Sequence, residues 1–237
     1  MTTRRRRKQV MAQTRKKKSL KPGQDPGYKP ARLTPRSDNQ RDYIRCIHEN
    51  DVTFCTGPAG TGKTHIAIGM AVQMVRYDVL DRIIISRPLV SVGKDMGYLP
   101  GDIMDKVGPY VTPCFDELNY YLSLSMIQAW MHEKKIEVVP LSMMRGRTFN
   151  SAFVILDEAQ NATRTELKTL LTRIGEPSRL VLAGDTFQTD LPYDQKGAFN
   201  ECIDSLYDLE GCGHIELTET DIVRHRLIGD IVRRLPW

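Results

Sequence analysis

Hydrophobic residues recur along this chain in two rhythms. Val52 to Thr56 is a short apolar, β-branched run that ends at Gly57. From Lys63 to Arg76 the apolar residues fall instead at Ile66, Ala67, Met70, Ala71, Met74 and Val75, the spacing of one helix face. The pair predicts a strand, a glycine loop and a helix. Similar strand-like runs lie at Arg82 to Ser86, Ile136 to Val139, Phe153 to Asp157 and Leu180 to Gly184, with helical segments between them, Thr163 to Arg173 being the clearest. Strands alternating with helices predict a mostly parallel sheet covered on both faces, a three-layer α/β domain. Residues 1–35 lack either rhythm and mix a basic run with Lys21, Pro22, Gly23, Pro26, Gly27, Pro30 and Pro35. A disordered arm over residues 1–35 is expected, followed by one folded domain over residues 36–237. No internal repeat is visible.

Composition narrows the class. With 237 residues, 41% apolar and 27% charged, the chain can bury one sizeable core. No apolar run approaches the roughly 20 residues a membrane-spanning helix needs, and the N-terminus is arginine-rich where a signal peptide would be apolar. A soluble, cytoplasmic protein without a membrane partner is expected. The cysteines (Cys46, Cys55, Cys114, Cys202 and Cys212) are odd in number, scattered and without a Cys-x-x-Cys pair, which suggests neither a disulfide framework nor a zinc site. Charge is unevenly spread: of 34 Lys and Arg, ten lie within residues 1–21, where there is no acid. The remaining 24 face 29 acidic residues, so the body carries −5 while the whole chain carries +5. A basic arm of this kind suits a phosphate backbone, bound through counterion release.

Gly57-Pro58-Ala59-Gly60-Thr61-Gly62-Lys63-Thr64 matches G-x-x-x-x-G-K-[ST], in which glycines let the loop curl so that backbone N–H groups point at phosphate oxygens. Lys63 is expected to bridge the β and γ phosphates of ATP and Thr64 to ligate Mg2+, with His65 closing the nucleotide-binding stretch. Phe153 to Gln160 is an apolar strand that delivers Asp157 and Glu158 at its C-terminal end, where open α/β sheets bind ligands. This is a Walker B pattern: Asp157 is expected to hold Mg2+ and Glu158 to orient and polarise the attacking water. Leu180 to Gln188 is a further strand that ends in a polar cluster and would bring Gln188 toward the γ-phosphate.

Four segments together resemble the PhoH-like proteins: Pro58 to Thr64, Arg145-Gly146-Arg147-Thr148, Leu156-Asp157-Glu158-Ala159-Gln160-Asn161 and Gly184-Asp185-Thr186-Phe187-Gln188. Tyr98-Leu99-Pro100-Gly101-Asp102, Pro109-Tyr110 and Asp221-Ile222-Val223-Arg224-His225 match that pattern too, so the resemblance covers about residues 33 to 234. It implies an ATPase with a RecA-like P-loop core similar to the first motor domain of superfamily-one helicases, and helicase activity as a further expectation. Gln40, placed 17 residues before Gly57, takes the position of the glutamine that reads the adenine edge. Arg87 corresponds to a segment that lies along the nucleic-acid strand. The sequence departs from the pattern at Arg226, where relatives commonly have proline, and at Gln195-Lys196-Gly197-Ala198-Phe199.

Superfamily-one helicases hold nucleotide between two such domains, the second supplying arginines that stabilise charge on the γ-phosphate. This sequence ends at Trp237, before a second domain. The expectation is therefore a head-to-tail homo-oligomer, a hexameric ring by resemblance, in which a neighbouring copy supplies Arg224 or, second, Arg173. The leading reading is a ring-forming ATPase stimulated by single-stranded nucleic acid, RNA ahead of DNA. Its alternatives are a nucleotide-dependent binding module in which turnover is incidental, and a small-molecule kinase, for which the sequence shows no second substrate pocket.

Overall fold

A computed structural model describes residues 31–88, 103–191 and 196–222, together with Arg234. Most of the predicted arm, Tyr98 to Asp102, Gln195, and Val223, Arg224, His225 and Arg226 lie outside the described residues.

The elements run α1 (Asp38–Glu49), β1 (Val52–Thr56), α2 (Lys63–Arg76), β2 (Arg82–Ser86), α3 (Ile103–Tyr121), α4 (Leu124–His132), β3 (Ile136–Val138), β4 (Ala152–Leu156), α5 (Arg164–Leu171), β5 (Ser178–Gly184), α6 (Ala198–Leu206) and β6 (Cys212–Glu216). Among the described residues six strands form one sheet in the order β3-β2-β4-β5-β1-β6, and each pairing is parallel. This is the RecA-like α/β architecture.

Alternation along the strands splits the core in two, because successive side chains in a strand point to opposite faces. Cys55, Ile83, Ile85, Phe153, Ile155 and Val181 pack under α1, α2, α3 and α4. Val52, Phe54, Ile84, Val154, Leu156, Leu180 and Leu182 pack on the other face with residues of α5 and α6. Strands buried on both faces read as continuous apolar runs, which is why these four are visible in the sequence.

Several boundaries differ from the predicted ones. β4 starts at Ala152 and stops at Leu156, so Asp157 stands just past the strand, although its N–H still bonds Ser86 O at 3.0 Å. β5 begins earlier, at Ser178, whose hydroxyl donates to Phe149 O at 2.7 Å and accepts from Ala152 N–H. β3 is one residue shorter than predicted. Thr163 is the N-cap of α5 rather than its first residue: its hydroxyl accepts from Glu166 N–H while the Glu166 carboxylate reaches back, a capping box. N-terminal to Arg36, Leu33 packs against the core beside Gly69 of α2. Among the described residues, no helix is long and apolar enough to cross a membrane, and all five cysteines are free thiols.

Candidate nucleotide site

The sheet order brings the C-terminal ends of β2, β4, β5 and β1 side by side. Arg87, then Asp157 and Glu158, then Asp185 and Gln188, then the glycine loop therefore border one cleft of about 540 Å³. Gly57, Gly60 and Gly62 all have positive φ, at 143°, 86° and 93°, which an L side chain rarely tolerates. At Gly57 the demand is doubled, since a Cβ would overlap the backbone carbonyl of Leu217, which follows β6. Thr61 Oγ1 donates to Pro58 O at 2.9 Å and closes the loop on itself. Lys63 Nζ folds back to the carbonyls of Gly57 and Pro58, at 2.6 and 2.9 Å.

Thr64 Oγ1 donates to Asp157 Oδ1 at 2.6 Å, joining the loop to the end of β4. Asp157 is 6% exposed. Burial pushes its carboxyl above the ordinary range, against the Thr64 hydrogen bond and the nearby Arg87 charge, which both act the other way. A buried carboxylate beside a hydroxyl is a hard-oxygen donor pair of the kind Mg2+ takes, so the residues fit that ion. The Cys114 thiol of α3 faces the other carboxylate oxygen at 3.8 Å.

Glu158 sits in the left-handed region at φ 55°, an uncommon conformation for a residue with a side chain. Its two oxygens are held separately, Oε1 by Arg87 Nη2 at 3.0 Å and Oε2 by Gln160 Nε2 at 2.6 Å. The other end of the Gln160 amide accepts Asp185 N–H at 3.0 Å, and Asp185 in turn shapes the turn that carries Gln188 through Phe187 N–H. Gln188 is exposed and lines the cleft.

Gln40 lines the cleft on the side of Thr34 and Arg36. Its Oε1 accepts Arg36 N–H at 2.7 Å and its Nε2 donates to Thr61 O at 2.9 Å, so the amide is fixed against the glycine loop. His65 also lines the cleft, with Nδ1 2.7 Å from a Glu117 carboxylate oxygen and Nε2 2.7 Å from the Tyr121 hydroxyl, so α3 is pinned to the start of α2. Arg173 lies after α5, beside the bridge between Phe149 and Ile174, at the end of the sheet opposite the loop. The structure thus brings together every predicted site residue except Arg224, which lies outside the described residues, and the second-choice Arg173. Sequence reasoning missed the partners that make the site a network: Gln160 as the holder of Glu158, Arg87 as its ion-pair partner, and Cys114, Glu117 and Tyr121 from α3. Gln160 lies within the Walker B segment; the α3 residues belong to no motif and carry no signal of their own.

Known proteins resemble this chain in sequence and in fold. A PhoH-like protein from Synechocystis is 47% identical over 193 residues, covering 81% of this chain and 59% of the relative. The PhoH-like protein of Bacillus subtilis is 42% identical over 193 residues, covering 81% of this chain and 60% of its own length. The chain therefore spans somewhat more than half the length of these relatives. In fold it is similar to the large terminase of a thermophilic bacteriophage in complex with ADP, with a TM-score of 0.53 at 12% identity over 84% of this chain and 50% of the terminase. The PhoH-like protein family model matches residues 32–235, and the chain belongs to that family of P-loop NTPases.

Proposed function

We propose that the chain is an ATPase that binds ATP with Mg2+ in the cleft, hydrolyses it, and couples this to single-stranded nucleic acid, RNA ahead of DNA. The observation that carries the reading is the 2.6 Å contact between Thr64 and Asp157, with Lys63 in the adjoining loop and Glu158 next in sequence. In this reading Lys63 exchanges the Gly57 and Pro58 carbonyls for the β and γ phosphates, while Thr64 and Asp157 hold the metal. Mg2+ would draw negative charge from the phosphoryl oxygens. Glu158 orients the water and Gln188 senses the γ-phosphate. The terminase of like fold was solved with ADP, in keeping with a nucleotide on this scaffold. The ten basic residues within residues 1–21 support the polymer partner, and the resemblance supports a hexameric ring, with Arg224 reaching a neighbouring site and helicase activity as one outcome, while the scattered, unpaired cysteines suit the cytoplasm.

The test is ATP turnover by the wild type and by Glu158→Gln, with and without single-stranded RNA or DNA, at low and high salt, beside a solution mass. Glu158→Gln is expected to keep ATP binding and lose turnover by on the order of 10² or more. Polymer stimulation should fade as salt rises. A wild type that binds ATP without hydrolysing it, with either polymer, would replace the ATPase with a nucleotide-dependent binding module.

A further inference from the structure

Arg87 borders the candidate site from the end of β2. By position it is expected along a nucleic-acid strand, yet its guanidinium points into the cleft, 3.0 Å from Glu158 and 4.0 Å from Asp157. β2 and β4 are neighbours in the sheet, so one chain delivers the guanidinium and both acids from adjacent strand ends. The cleft is lined by the carboxylates of Glu117, Asp157, Glu158 and Asp185 and by the cations Arg36, Lys63 and Arg87. Acid already outnumbers base there before a polyphosphate arrives. A γ-phosphoryl group in transfer spreads negative charge over its outer oxygens beside the water that Glu158 orients, so a guanidinium in contact with Glu158 is within reach of those oxygens too.

We infer that Arg87 is a catalytic residue of the hydrolysis proposed above and acts within its own chain, its ion pair with Glu158 being the resting position of a side chain that turns to the γ-phosphoryl oxygens when ATP binds. The inference rests on the ATPase reading. In the step itself the water oxygen forms a bond to the γ-phosphorus while the bond from that phosphorus to the β,γ-bridging oxygen breaks. ADP leaves with that oxygen, and the water proton passes to the Glu158 carboxylate. The movement of Arg87 serves both ends of this step. Positive charge reaches the phosphoryl group, and Glu158 Oε1 is released from the ion pair to face the water. Gln160 stays on Oε2 and keeps the carboxylate aimed.

The experiment compares steady-state hydrolysis by the wild type, Arg87→Ala and Arg87→Lys with their affinity for a non-hydrolysable ATP analogue, melting temperature reporting the fold. Arg87→Ala is expected to lower kcat by on the order of 10² to 10³ with analogue affinity changed by less than about threefold. Arg87→Lys should recover only part of the rate, because a point charge replaces a planar fork, and added guanidinium at a non-denaturing concentration should partly rescue the alanine variant. Mixing Arg87→Ala with Lys63→Ala separates the two sources of the arginine. A residue acting in its own chain leaves the mixture inactive, whereas recovered activity would show donation across an interface and overturn the inference. An unchanged kcat in Arg87→Ala would overturn it as well, as would a raised one, the mark of an ion pair that acts as a brake on Glu158. Absence of turnover in the wild type itself would instead count against the ATPase reading.

Discussion

A Cβ at Gly184 would stand 2.8 Å from both Gln160 Oε1 and Phe199 Cε1, closer than such atoms pack. The bare α-carbon is what allows Gln160 to cross the end of β5, accept Asp185 N–H and hold Glu158 Oε2 at once. Gly184→Ala is therefore expected to push Gln160 aside. Overpacking costs about 1–3 kcal/mol, and a displaced Glu158 should lower turnover about tenfold or more; urea unfolding and steady-state hydrolysis measure the two effects separately. An effect on stability without one on rate would mean that Gln160 only supports the turn after β5. The phosphate loop and the two acids are read directly from the sequence because their chemistry demands neighbouring residues. The holders of those acids are not, since Arg87, Gln160 and Asp185 meet only when three separate strand ends are laid side by side.

At the scale of elements, α2 and α3 depend on each other through a second glycine. A Cβ at Gly69 would lie 2.8 Å from the Tyr121 ring and hydroxyl and 3.0 Å from Leu33. Ala in a helix interior gains up to about 1 kcal/mol over Gly in intrinsic propensity, but a rigid ring cannot yield cheaply and the clash costs about 1–3 kcal/mol, so packing outweighs propensity. Gly69→Ala should lower stability by about 1 kcal/mol on balance and loosen the Tyr121 contact with His65, visible as a lower denaturant midpoint; a more stable variant would show that Tyr121 moves freely. Some elements are hidden from the sequence for related reasons. β6 reads Cys212-Gly213-His214-Ile215-Glu216 and is a half-exposed edge strand, held to β1 by backbone pairing that leaves no mark on side-chain pattern. α1 is polar apart from a few positions such as Tyr43 and Ile47. α3 passes through Pro109 and Pro113, residues that normally argue against a helix interior. β1, β2, β4 and β5 need no such context, because burial on both faces writes them as apolar runs.

At the scale of the whole molecule, charge and chain order matter more than any one contact. The basic arm and the net acidic body have opposite signs, so removing residues 1–21 is expected to weaken nucleic-acid binding and flatten its salt dependence, by roughly 0.7 in the logarithmic slope for each phosphate of a single strand that the arm no longer neutralises. Fluorescence anisotropy across a salt series measures this, and an unchanged slope would assign binding to the folded body. Chain order has its own consequence. Leu217 N–H bonds Thr56 O at 2.8 Å, and the Leu217 carbonyl lies against Gly57, the first residue of the phosphate loop. A ribosome makes the loop's own residues first, but the wall that seats its first glycine is translated only 160 residues after Gly57. In the ATPase reading, phosphate capture would thus begin only once synthesis has passed Leu217 and that segment has cleared the exit tunnel, so a nascent chain short of that point would carry the whole phosphate-binding sequence without the wall that seats it.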